Sequence, residues 1–179
     1  MKIYMSNIEQ TKNIANMEKD LSVLDRHRLT EFSNNTRKLQ FLVSRALVKQ
    51  ATGKNVIVDK NGAPTIESGF VSIAHKDNFV IVAISCSGVG IDIENASINR
   101  DFIGQSELLG LPKPRNKKDF YKNFVKYEAE FKFGKTSEKT HKYFYEMGDY
   151  LICVCTNEPV KDIQFDSSYA AGIRFFGAE

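Results

Sequence analysis

The strongest constraint on the fold of this chain is a pattern that occurs twice. Asn78-Phe-Val-Ile-Val-Ala-Ile-Ser85 and Asp149-Tyr-Leu-Ile-Cys-Val-Cys-Thr156 each read polar, aromatic, five apolar residues, hydroxyl. Side chains of a strand alternate between its two faces, so an unbroken apolar run suits a strand covered on both sides. Each stretch follows a helical segment and a polar hairpin turn. Two α+β halves of similar construction explain the repetition; so does coincidence over eight residues.

A chain of 179 residues, 42 % hydrophobic and 26 % charged, can bury about 70 % of its unfolded surface and needs no staple to fold. Eleven glycines and four prolines exclude collagen-like and low-complexity architectures. Lys and Arg number 25 against 22 Asp and Glu, a net +3, too balanced to indicate a nucleic-acid binder. Cys86, Cys153 and Cys155 make an odd set with no disulfide framework and read as small core hydrophobes. The longest apolar runs, 79–84 and 150–155, fall far short of the roughly 20 residues a membrane-spanning helix needs. Residues 1–20 hold no apolar run resembling a signal peptide. The expectation is a cytoplasmic protein without membrane or nucleic-acid partners.

Apolar periodicity predicts a first helix over 18–32 and a second over 36–51, where Leu39, Leu42, Val43, Ala46 and Leu47 recur at helical spacing. Strands are expected at 56–58, 70–74, 78–85, 91–94, 142–146, 150–156 and 172–176, with a turn at 59–64. Residues 99–118 read as a short helix plus a loop. A helix over 119–133 carries the aromatic stripe Phe120, Phe124, Tyr127 and Phe131, with Gly134 as its stop.

Three groups of side chains could carry chemistry. Ile91-Asp92-Ile93-Glu94 alternates strictly, putting two carboxylates about 6.6–6.8 Å apart on one strand face. Such a pair is either the solvated face of an edge strand or a shared site for a cation such as Mg²⁺. Glu128 and Lys132 are helical i,i+4 neighbours, hence a surface ion pair or a third carboxylate with an ammonium for a phosphate. His75, followed by Lys76 and Asp77, either caps a turn or binds a phosphate. The loop containing Lys113, Arg115, Lys117 and Lys118 is solvated or steers an acidic partner.

Taken together, GFVSIAHKDNFVIVAISCSGVGIDIEN at 69–95 and FYKNFVKYEAEFKFG at 120–134 resemble the 4′-phosphopantetheinyl transferases. The pseudo-dimeric surfactin-synthetase-activating type is closer than the short trimeric holo-acyl-carrier-protein synthases. The similarity covers about 20–157, with Arg37 and the helix 37–49 in place of the family's R-x₇-R helix. It implies an α+β fold of two similar halves, about 1–104 and 105–179, each a helix on a small antiparallel sheet, with the site in the cleft between. The chain would work as a monomer, a pseudo-dimer in itself.

The resemblance also implies an activity. These enzymes move the phosphopantetheine arm of coenzyme A to a serine of an acyl or peptidyl carrier protein and release 3′,5′-ADP, using Mg²⁺. By position, Asp92, Glu94 and Glu128 are the metal ligands, Glu128 doubles as general base, and Lys132 holds the pyrophosphate. Arg37 and His75 bind coenzyme A phosphates, as do Arg26 and Arg28 in the first helix. Three positions depart from the family pattern: Tyr127 stands for a basic residue, Ala74 for a serine and Ala63 for a lysine. The missing contacts leave a non-catalytic coenzyme A- or carrier-binding relative as the alternative, and a Mg²⁺ phosphohydrolase as a third.

Overall fold

The computed structural model describes residues 1–12, 14–59, 62–134, 140–157, 159–160, 163–166 and 172–179. The protein is α+β, two sheets stacked face to face with a long helix on the outer face of each. The chain runs β1 (Lys2–Asn7), a 3-10 turn, α1 (Ile14–Lys19), α2 (Val23–Glu31) and α3 (Asn35–Thr52). A ribbon of β2 (Ile57–Val58) and β3 (Pro64–Thr65) leads to β4 (Phe70–Lys76), β5 (Phe79–Ser85) and β6 (Val89–Asn95). Then come α4 (Phe102–Leu109), α5 (Lys117–Phe133), β7 (His141–Met147), β8 (Tyr150–Thr156), β9 (Gln164–Asp166) and β10 (Arg174–Ala178).

The two repeated stretches are β5 and β8, and both are interior strands: the sheets are ordered β4-β5-β1-β9 and β10-β7-β8-β6. Their alternation explains the unbroken apolar runs. In β5, Val80 and Val82 pack with Val43 and Val48 of α3, while Ile81 and Ala83 face the layer between the sheets. In β8, Leu151, Cys153 and Cys155 lie under α5 with Phe120, Tyr121 and Val125, while Ile152 and Val154 face inward against Ile91 and Ile93. The connectivity repeats as well. A strand (β1 or β6) leads through a long helix (α3 or α5) to a hairpin whose second strand pairs back with the first.

Sheet membership changes between Ser85 and Val89, because β6 pairs with β8. The second sheet is wholly antiparallel, but the first carries β9 parallel to β1 at its edge. The helix expected over 18–32 is two helices. Ser22 caps α2 by accepting a hydrogen bond from the Asp25 N–H, and Val23 and Leu24 are exposed while Leu21 is buried. Of the aromatic stripe of α5, Phe120 alone belongs to the fully buried face, which continues with Tyr121, Val125 and Ala129, while Phe131 is 71 % exposed. Cys153 and Cys155 are buried as expected, whereas Cys86 is exposed. Lys60 and Asn61 of the predicted 59–64 turn lie outside the described residues.

The edges β4 and β6, one from each sheet, meet along a seam. There the Ile91 N–H donates to Ser72 Oγ at 3.0 Å. At the end of the seam, Asp77 adopts φ 50° in the β4–β5 turn. Its carboxylate accepts from Asn95 Nδ2 (2.7 Å) and the Tyr150 hydroxyl (2.9 Å), and its carbonyl from Gln40 Nε2 (2.7 Å). One turn thus ties β6, β8 and α3 together. No helix among the described residues is long and apolar enough to cross a membrane.

Candidate functional site

The site is built where α5 crosses β6. Gly90, Asp92 and Glu94 share the face of β6 that looks at α5, since Ile91 and Ile93 turn the other way into the core. Gly90 lets the helix approach: a Cβ there would stand 2.6 Å from Phe133 N, 2.8 Å from Phe133 Cβ and closer still to the Ala129 carbonyl. Two strand residues advance about 6.7 Å and four helical residues about 6 Å, so successive positions on this face meet successive turns of α5. Lys132, on the turn that meets Gly90, reaches along this face to Asp92, its Nζ donating to Asp92 Oδ1 at 2.6 Å.

Asp92 is only 6 % exposed, so it does not belong to a solvated strand face. Its Oδ2 is buried with no hydrogen-bond partner among the described residues. Burial pushes its pKa from 3.8 up to about 6, with Lys132 opposing the rise and the charges of Glu94 and Glu128 adding to it. Glu94 pairs with Lys76 at 2.7 Å, with Arg100 Nη2 farther off at 3.8 Å. Arg100 lies over the rings of Tyr121 and Phe124, which keeps it beside the carboxylate.

Asp92, Glu94 and Glu128 line one open cavity of about 600 Å³ together with Arg37, His75 and Lys76. Five side chains that the sequence motif names separately, from α3, β4, β6 and α5, are therefore neighbours. Arg37 reaches over His75, its Nη1 2.9 Å from Nε2 and 3.0 Å from Nδ1. The surrounding protein and the Arg37 cation hold the imidazole pKa below its ordinary value, although one side of the ring meets solvent. Arg28 lines an adjoining cavity that shares Arg37 and His75 as a common wall. Arg26, exposed on the same helix, lines neither.

The expected ligand set is only partly assembled. Among the described residues, no group of three or more His, Cys, Asp or Glu is arranged to hold a metal ion. The three carboxylates share a cavity without converging, and lysines hold Asp92 and Glu94. Even so, the donors suit a hard divalent cation: carboxylate oxygens of three side chains lining one cavity, one of them buried with no hydrogen-bond partner among the described residues. Lys132 reaches across to Asp92, so its functional partner is not the i+4 neighbour Glu128 that the helix pattern suggested. Sequence reasoning missed Lys76. Its signal was strand alternation, which turns Lys76 to the opposite face from His75.

Comparison with known proteins adds no assignment: no protein-family model matches the chain, and no curated protein matches it as a relative.

Proposed function

We propose that this chain is a Mg²⁺-dependent 4′-phosphopantetheinyl transferase with the corresponding pseudo-dimeric fold, acting on an acyl or peptidyl carrier protein. The observation that carries the reading is the cavity at the β4–β6 seam. Arg37, His75, Asp92, Glu94 and Glu128, far apart in the chain, line it together. The repeated strand–helix–hairpin connectivity supports the same reading.

In this account, Arg37 and His75 bind phosphates of coenzyme A at one end of the cavity, with Arg28 in the adjoining pocket extending the basic wall. A phosphate beside His75 counters the nearby Arg37 charge that disfavours imidazolium, so the ring becomes a better donor as substrate binds. Lys132 holds the pyrophosphate. Glu128 takes the proton of the carrier serine as its hydroxyl oxygen bonds to the β-phosphorus. The bond from that phosphorus to the bridging oxygen breaks, and 3′,5′-ADP leaves with the electron pair. Asp92, Glu94 and Glu128 would hold Mg²⁺, which when bound neutralises charge developing on the pyrophosphate. The exposed Lys113 faces an acidic carrier, since Arg115, Lys117 and Lys118 are engaged with Asp119, Asn99 and Glu146.

The lysine-held carboxylates favour a second reading, a coenzyme A- or carrier-binding protein that has lost the metal. Incubation with coenzyme A, Mg²⁺ and several apo-carrier proteins, followed by intact-mass spectrometry, separates the two. The transferase adds the phosphopantetheine arm to a carrier. Binding of coenzyme A or carrier by calorimetry, with no mass gain, establishes the second reading instead.

A further inference from the structure

We infer that Lys76 is a substrate-phosphate-binding side chain of the seam cavity, held in reserve by Glu94 until a divalent cation takes that carboxylate. The inference rests on the transferase reading and adds a residue that the sequence motif leaves unassigned. Lys76 lines the same cavity as Arg37, His75 and Asp92, from the β4 position next to His75. Its ammonium stands 2.7 Å from Glu94, and both side chains are largely buried. Withdrawing a lysine from water is costly, and a single carboxylate across a seam compensates it only in part. The geometry repeats one residue pair away: Lys132 holds Asp92 at 2.6 Å. Two of the three carboxylates that would ligate a cation thus carry one lysine each, and Lys76 already lines the cavity.

Exchange follows from charge. A divalent cation on Asp92 and Glu94 displaces the two ammonium groups, which then have only the incoming anion to pair with. Two lysines and a dication match a pyrophosphate better than a dication alone. Lys76 on β4 would thereby supply the positive charge that Tyr127, 36 % exposed on α5, does not.

The test is calorimetric titration of inorganic pyrophosphate at saturating Mg²⁺ into wild type, Lys76→Met and Lys76→Arg. Wild type should bind, Lys76→Met should bind roughly tenfold or more weakly, and Lys76→Arg should stay within about threefold. With Mn²⁺ alone, Lys76→Met should bind the metal more tightly than wild type, because the competing cation is gone. Opposite signs for metal and anion distinguish a phosphate ligand from a merely structural ion pair. Unchanged or tighter pyrophosphate binding by a folded Lys76→Met overturns the inference, as does a wild type that binds no pyrophosphate. If Lys76→Met does not fold, the Arg variant decides: loss of pyrophosphate binding no greater than threefold supports the inference, and a larger loss in a folded protein overturns it. A wild type that binds pyrophosphate but transfers no arm refutes the transferase reading alone.

Discussion

Replacing Gly90 with alanine tests the contact on which the site is built. The added methyl would lie 2.6 Å from Phe133 N and 2.8 Å from Phe133 Cβ, and nearer still to the Ala129 carbonyl. Carbon atoms rest at about 3.5–4.0 Å. The nearest neighbours are helix backbone, so no rotamer change removes the clash, and α5 must retreat by about 1 Å. That retreat opens the packed layer of Val125 and Ala129 on Cys153 and Cys155, all fully buried. Overpacking typically costs 1–3 kcal/mol; a rigid backbone obstacle puts this substitution at about 3 kcal/mol. For a domain of this size that lowers Tm by roughly 6–12 °C in a thermal melt followed by circular dichroism. Gly177→Ala, where an added Cβ meets nothing within 4 Å, is the control and should melt within about 2 °C of wild type. A Gly90→Ala protein as stable as that control would refute the close approach of α5 to β6 and the reach of Lys132 to Asp92.

Three further outcomes follow from the same structure. Asp92 holds its proton to about pH 6 in the folded state against 3.8 ordinarily, so the folded chain binds more protons between those values and stability falls as pH rises through them. The rise corresponds to about 3 kcal/mol at 1.36 kcal/mol per pH unit; urea unfolding from pH 4 to 7 should show this slope in wild type and a flatter one in Asp92→Asn. Asp77→Ala loses two side-chain hydrogen bonds at the end of the seam and places alanine at φ 50°, for a destabilisation of about 2 kcal/mol. Asp77→Asn, which tolerates that backbone and keeps an acceptor, should recover about half in the same urea assay, and equal losses for both would contradict the role given to the turn. Ile93→Asp buries a carboxylate at a position 1 % exposed between the sheets and should abolish cooperative unfolding at pH 7.

How far the sequence reveals this molecule depends on which interactions are local. α3, β5, β6, α5 and β8 show in periodicity because each has its faces set by burial along its own length. β1 was missed although Ile3 and Met5 alternate inward, because its partners β5 and β9 lie at great sequence distance. The split between α1 and α2 turns on one capping hydroxyl, Ser22, which an averaged apolar pattern hides. At the site, the face shared by Asp92 and Glu94 is a local property and was legible. The burial of Asp92, the pairing of Lys132 with it and the reach of Lys76 to Glu94 depend on how two sheets and a helix meet. No spacing encodes those distances. Arg26 and Arg28 differ by half a helical turn, and only the packed position of α2 decides that Arg28 faces the adjoining cavity.

The central proposition is that Asp92, Glu94 and Glu128 gather on one divalent ion while Lys132 and Lys76 turn to the substrate phosphates. A crystal structure grown with Mn²⁺ and 3′,5′-ADP reads this directly through the anomalous signal of the metal. The account predicts one anomalous peak ligated by all three carboxylates, with both lysines moved from the carboxylates to phosphate oxygens. Bound nucleotide with no peak, and with Lys132 and Lys76 still on Asp92 and Glu94, would contradict it.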